Sequence, residues 1–339
     1  MRRFFHLLLI VTTAVALAAC GGQDAPDSGS DGDGRKLVVY SGRNENLVRP
    51  LIDRFAEESG IKVEVRYADT TELTATLLEE GDATPADVFF AQDAGALAAL
   101  AAEGRLAELA PRVADDVDPR FVDPDDRFTG VTGRARTFAY DPAEIPELEV
   151  PRSIFEVADP KWKGRLGLAP ANASFVSHMS ALRVEFGDEK VKKFLADLAA
   201  NEPQLFDSNT LVVQSVAAGE VDLGLVNHYY ALNEMRERPD SPVVNAFPKE
   251  GAFVNVAGVG ILEGAEHRDE ADEFVAFLLS QEGQDYFRTE TNEYPLVAGA
   301  DAPAGLPALG ELDTIQAPLA ELGKDLESSV RFIEDAGLA

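Results

Sequence analysis

From Lys36 onward the chain alternates short apolar runs with amphipathic ones, and this alternation restricts the fold more than any other feature of the sequence. "KLVVYS" reads as a strand, after which Leu47, Val48, Leu51, Ile52 and Phe55 recur at helical spacing until Gly60 stops the helix. "KVEVRYA" is a second strand, Leu73 to Leu78 a helical stretch, "ADVFFA" a third strand, and "AGALAALAAEG" a helix of strong helix formers. Strand, helix, strand, helix, strand is the pattern of a parallel sheet covered by helices. Beyond the Pro/Asp-rich stretch "APRVADDVDPRFVDPDD", "TGRARTFAYD" reads as a strand and a second alternating region begins. It holds "GRLGLAPA" as strand and loop, helices at Ser174 to Phe186 and Glu189 to Ala200, "LVVQSVAAGE" as a helix and "VDLGLVNHYY" as a strand. "NVAGVGIL" is again a strand and "DEADEFVAFLLSQEGQDYF" one amphipathic helix. Two α/β units joined by extended crossings predict a cleft between them, where small ligands bind.

At 339 residues, 45% of them hydrophobic, the chain is long enough for about two domains. Residues 1–19 stand apart. Arg2 and Arg3, the apolar run after them and the small residues Leu17-Ala18-Ala19 before Cys20 read as an export signal ending in a lipobox, with Cys20 the acylated first residue of the mature chain. Residues 20–35 are Gly, Ser and Asp with almost nothing apolar, a flexible tether. The formal net charge is −30, and loss of the two signal arginines takes it to about −32, which argues against nucleic acid as a partner. With Cys20 the only cysteine, disulfides, cysteine nucleophiles and Cys-based zinc sites are excluded, and any site must be built from oxygen and a few nitrogen donors.

Catalytic patterns are absent. There is no Gly-x-Ser-x-Gly elbow, His-Glu-x-x-His helix or Walker loop, and after the signal only His178, His228 and His267 remain. "GVGILEG" lacks the spacing of a dinucleotide loop, so its glycines serve a strand and a turn. The feature that stands out is Tyr229-Tyr230, adjacent in a chain with seven tyrosines and following the apolar run "VDLGLV". Neighbours on a strand point to opposite faces, so one ring could line a cleft while the other packs, or both could pack as an amphipathic pair. If both phenols turn into one cleft, a trivalent cation would lower their pKa from ~10 and hold them as phenolates. Hard cations select such oxygen donors.

In order along the chain, "VVYSGRNE", "FAEESGIKVEV", "LLEEGDATPADVFFAQD", "LAALAAEGRL", "TGRARTFAYD", "DPKWKGRLGL", "LVVQSVAAGEVDLGLVNHYY" and "NEYPL" resemble the periplasmic ferric-ion-binding proteins, the solute receptors of bacterial iron(III) ABC transporters. The resemblance runs from Leu37 to about Leu296 and implies a type II periplasmic-binding-protein fold: two α/β lobes, each a central mixed sheet flanked by helices, hinged by crossing strands. The first lobe is expected over residues 36–136 and 265–339, the second over 137–264. It further implies that Tyr229 and Tyr230 are phenolate ligands and that Arg134, with Arg136 beside it, holds a synergistic anion such as carbonate or phosphate, as suits a guanidinium fork. Asn172, Ser174, Asn209 and Asn227 fall where relatives hold that anion, and helix starts there would add N–H groups.

The chain departs from the family pattern on the other side of the cleft. Where some members carry a histidine ligand it has Asn44, and the neighbouring site, tyrosine in others, is Glu45. Where a glutamate ligand can stand it has Gln92, followed by Asp93; the third tyrosine of some members falls on Phe175. Metal candidates opposite the tyrosines are therefore Glu45, Asp93, Asn44 and Gln92. Glu45 reads equally as an exposed acid at a helix start, and Asn44 as a helix cap. The resemblance implies a monomeric lipoprotein, anchored at the outer face of the membrane, that carries ferric ion or a ferric chelate to an ABC permease and performs no reaction. Two other readings stay open: a receptor of the same fold for a phosphonate, thiamine or polyamine, and a secreted hydrolase with paired carboxylates in its cleft.

Overall fold

A computed structural model describes residues 34–322 and 326–338. The expected export signal, Cys20 and all but the last residues of the tether lie outside them. The strands and helices expected from the alternation form in order: β1 (Lys36–Ser41), α1 (Glu45–Ser59), β2 (Lys62–Tyr67), α2 (Thr70–Glu80), β3 (Val88–Ala91), α3 (Ala94–Ala102) and the long β4 (Phe128–Tyr140). Then come β5 (Leu166–Leu168), α4 (Ala173–Phe186), α5 (Asp188–Ala200), β6 (Gln204–Leu205), α6 (Asn209–Ala217), β7 (Leu223–Asn227), α7 (His228–Glu237), β8 (Val244–Ala246) and β9 (Val254–Ile261). The chain closes with α8 (Arg268–Leu279), α9 (Gln281–Glu290), β10 (Tyr294–Pro295), α10 (Leu319–Leu322) and α11 (Leu326–Asp335).

β4 organises the molecule. All 13 of its residues are buried, because it is an inner strand of two sheets in turn. Phe128 to Ala135 pair antiparallel with β9, which pairs with β3 in a sheet ordered β2-β1-β3-β9-β4. Arg136 to Tyr140 pair antiparallel with β7 on one side, and Phe138 to Tyr140 with β8 on the other. β7 continues through parallel β5 to β6. One strand thus crosses between two mixed sheets of matching design, the two-lobe type II arrangement. The first lobe has its own core, with Val39, Phe55, Phe89, Leu97 and Phe274 fully or almost fully buried. The second is built around Phe138, Trp162, Phe175, Met179 and Leu225.

Strand pairing leaves the first crossing in β4 near residue 136 and puts the second elsewhere than the sequence reading did. β9 belongs to the first sheet, so the return crossing lies at Ala252-Phe253 and not at residue 264; an apolar run such as "NVAGVGIL" suits either sheet, and only its partners decide. The C-terminal end crosses once more. Thr314 bridges Ala252, and α11 then buries Ile333, with Leu338 beyond it, in the second core.

Two local expectations also change. The single helix expected at 269–287 is two, because the Ser280 hydroxyl donates to the Phe277 carbonyl and accepts from the Gly283 N–H, ending α8 and capping α9. A Cβ on Gly283 would stand 2.5 Å from the Phe277 carbonyl oxygen, so the break needs glycine there. And the strand expected through "VNHYY" stops at Asn227; His228, Tyr229 and Tyr230 form the first turn of α7.

Candidate metal and anion site

The β7–α7 junction is fixed by His228, which is fully buried. Its Nδ1 accepts the Ala135 N–H at 3.1 Å and its Nε2–H donates to the Asn292 carbonyl at 2.7 Å. Both ring nitrogens are committed, so the ring is neutral and is no metal ligand. Burial, against the pull of the two backbone contacts, brings its pKa down to about 4. The next two residues gain from the switch to helix. On a strand they would diverge, but in a helical turn they share a side, and the Tyr229 and Tyr230 rings lie 4.3 Å apart between centroids, tilted by 31°. Tyr229 is buried and Tyr230 half-buried. Burial, with the Tyr230 phenol beside it, pushes the Tyr229 phenol well above its usual range, and the nearby Arg134 guanidinium pulls the other way. Without a cation the Tyr229 phenol is protonated, and a trivalent ion beside it would supply the field to ionise it.

Arg134 and Arg136 alternate on β4 at the point where it leaves one sheet for the other, so both point to one face. Both are buried, at 1% and 0% exposure. Arg136 Nη1 donates to Ser174 Oγ at 3.2 Å, Asn227 Oδ1 at 3.3 Å and Asn209 Oδ1 at 3.5 Å, and Nη2 to the Leu225 carbonyl at 2.9 Å. Arg134 Nη2 donates to the Gln92 carbonyl. Among the described residues neither arginine forms an ion pair, and the Nε of each has no hydrogen-bond partner. Burial lowers Arg136 to about 10, which leaves it charged at neutral pH. A buried cation with only neutral partners carries an unmet desolvation cost of several kcal/mol, which an anion would offset.

The anion-side residues come together at the carboxyl ends of parallel β5, β6 and β7, where three helices start. Asn172 caps α4, its Oδ1 accepting from the Ser174 N–H at 3.1 Å and hydroxyl at 2.5 Å. Asn209 opens α6 and Asn227 precedes α7, its side chain turned to Arg136 rather than to its own helix. Three helix N-termini and a guanidinium facing one spot favour negative charge. The arrangement unites Arg136, Asn172, Ser174, Asn209 and Asn227, with Arg134 two residues along the strand.

Across the cleft the carboxyl ends of β1, β2 and β3 are tied together. The Thr70 hydroxyl donates to the Gly42 carbonyl and accepts the Gln92 N–H, and a Cβ on Gly42 would strike that hydroxyl at 2.0 Å. The four metal candidates on this side are all engaged in contacts of their own. Asn44 is exposed and caps α1 through the Asn46 N–H. Glu45 pairs with Arg49 one turn on. Gln92 accepts from Arg43 Nη1 at 2.9 Å through its Oε1. Asp93 caps α3 through the Gly95 N–H and takes the Ser177 hydroxyl, from the other lobe, at 2.7 Å. Phe175 is fully buried in the second core. Among the described residues no group of three or more His, Cys, Asp or Glu could hold a metal.

Sequence reading missed Arg43 and Glu293. Both lie inside segments that carry the resemblance, "SGRNE" and "NEYPL", yet an ion pair spanning 250 residues leaves no local trace.

Known proteins of similar sequence and structure agree with one another. Residues 83–316 match the model of a family described as bacterial extracellular solute-binding proteins. The chain is 30% identical over 308 residues to the Fe(3+)-binding periplasmic protein of Serratia marcescens, covering 89% of this chain and 90% of that one. Iron-bound HitA from Pseudomonas aeruginosa superposes with a TM-score of 0.83 at 30% identity, over 90% of this chain and 100% of that chain. A Trichodesmium protein, IdiA (FutA), in complex with iron and citrate ligands, gives 0.80 at 26% identity over 90% and 100%.

Proposed function

Since the chain belongs to the ferric-ion-binding branch of the bacterial extracellular solute-binding proteins, a family of transport receptors and not of enzymes, we propose that it captures ferric iron in the cleft between its lobes and hands it to an ABC permease. Tyr229 and Tyr230 bind the metal as phenolates. The observation that carries this reading is the tilted phenol pair beside two buried arginines that form no ion pair among the described residues. Two phenolates leave one of the three charges of ferric iron unmatched, and Arg134 and Arg136 add more. The cargo must therefore bring a multivalent oxyanion, carbonate, phosphate or the carboxylates of a ferric chelate, which bridges metal and guanidinium. Citrate accompanies iron in the Trichodesmium relative.

The same ligand supplies most of the positions that Asn44, Gln92 and Asp93 leave unfilled. Glu45 is the one carboxylate on that side that can be recruited at small cost. Its pairing with Arg49 is a solvent-exposed i,i+4 contact that is weakened by screening, whereas Asp93 would give up a cap and a cross-cleft bond. Anchoring through Cys20 and the tether would keep the receptor at the outer membrane face within reach of its permease.

A receptor for a small organic or anionic solute is the second reading, favoured by the engaged state of all four opposite residues. Thermal shift separates the two. Ferric citrate is expected to raise the melting temperature with concentration, where thiamine, spermidine and a phosphonate leave it unchanged; the reverse order would establish the second reading. Protein purified without chelator is expected to carry about one iron per chain by metal analysis.

A further inference from the structure

Four carboxylates are buried among the described residues: Asp87, Asp123, Glu234 and Glu293. Three have local structural work. Asp87 accepts the Val38 and His267 N–H groups, Asp123 those of Asp125 and Arg127, and Glu234 pairs with Arg238 one turn on. Glu293 instead faces the site. Its Oε2 accepts Arg43 Nη2 at 2.7 Å and the Thr132 hydroxyl at 2.8 Å, with both charged side chains essentially inaccessible. Thr132, Arg134 and Arg136 alternate along β4 beyond the bulge at Gly130–Thr132, so Glu293 is fixed to the strand face that presents both arginines.

A continuous chain of contacts leads from it to the anion arm. Arg43, held by Glu293 through Nη2, donates Nη1 to Gln92 Oε1, and the Gln92 carbonyl in turn accepts from Arg134. Burial raises the Glu293 carboxyl, but the Arg43 and Arg134 guanidiniums outweigh it and keep that carboxyl below its usual range.

We propose that Glu293 is a positioning residue for the anion: by locking Arg43 it fixes Gln92, and through the Gln92 carbonyl it aims Arg134 at the anion beside Tyr229. The proposal rests on the reading of Arg134 as an anion holder. It makes Gln92 a bridge between two arginines and not a metal ligand, and it accounts for an ion pair buried where two apolar side chains would serve stability equally well.

Removing Glu293 alone would strand a buried guanidinium, so the test uses Arg43→Met/Glu293→Leu, which deletes opposite charges together and leaves the net charge unchanged. Gln92→Ala, which cuts the chain one link further on with the pair intact, is the second variant. The full-length protein is titrated with bicarbonate, phosphate and citrate in separate runs at one fixed ferric concentration, and the visible iron–phenolate band is followed. Both variants are expected to need at least tenfold more of the preferred anion for half-saturation, while the saturated band keeps its position and intensity. An unchanged half-saturation in a folded variant would overturn the proposal. So would loss of the saturated band at every anion concentration, which would make Glu293 or Gln92 a ligand. A wild type with no band overturns the iron reading itself, an outcome distinct from a wild-type band with unaltered variants.

Discussion

Arg134 and Arg136 differ in what they hold, and the difference sets opposite expectations for their removal. Arg136 satisfies Ser174, Asn209, Asn227 and the Leu225 carbonyl, so Arg136→Met strands several buried acceptors and should cost about 2–3 kcal/mol in urea unfolding. Arg134 donates only to the Gln92 carbonyl among its described contacts, and relieving its desolvation offsets that bond. Arg134→Met should leave the stability of the ligand-free protein within about 1 kcal/mol while weakening the anion at least tenfold. His178 provides a separate test at this scale. It is fully buried, donates Nε2–H to the Gly251 carbonyl at 2.7 Å and stacks on Phe253, and burial, helped by the Arg136 charge, lowers its pKa to about 3. Below the unfolded value of 6.5 the unfolded chain binds a proton that the native ring refuses, so stability falls on acidification. The loss through this group should be roughly 2 kcal/mol between pH 6.5 and pH 5. His178→Gln should remove that slope from the difference between the two urea curves, and an unchanged slope would assign it to other groups.

At the level of elements, most of the fold was readable from pattern. β1 to β3 and the helices between them follow from apolar spacing, and the expected positions of α4, α5 and α6 agree with the structure to within a few residues. Failures occurred where a contact distant in sequence decides. "VNHYY" is apolar and aromatic enough to extend β7, but the Asn227 side chain goes to Arg136 and His228 to two backbone groups of the first lobe, and the chain turns into a helix there. The same reasoning applies to the α8–α9 break, which periodicity cannot register because both helices are amphipathic. Gly283→Ala should cost about 1–3 kcal/mol in a denaturant melt, since the added methyl meets backbone oxygen and not a side chain that can move. For the candidate site, resemblance named the phenol pair and the residues around Arg136, and the fold brings the latter together. Arg43, Glu293 and the engagement of Asn44, Glu45, Gln92 and Asp93 were not legible, because hydrogen-bond partners across lobes are a property of the folded chain.

On the scale of the whole molecule, side-chain bonds join the two lobes in addition to the crossing strands. Ser177 of α4 donates to Asp93 of the first lobe at 2.7 Å, a charge-assisted contact worth about 1.5–3 kcal/mol. Ser177→Ala should therefore shift the ligand-free protein toward the open form, read as a larger radius of gyration by small-angle scattering, with the iron-loaded form unaltered because the metal and anion close it. Equal radii for variant and wild type without ligand would mean that the contact does not govern closure. The central claim is that two adjacent phenols on the first turn of α7 are the protein's hold on ferric iron. The most direct measurement is visible absorption as ferric citrate is added to the full chain. A saturable iron–phenolate band at one iron per protein, absent from Tyr229→Phe/Tyr230→Phe, is expected. A colourless wild type that takes up no iron, or a band that survives loss of both hydroxyls, would contradict it.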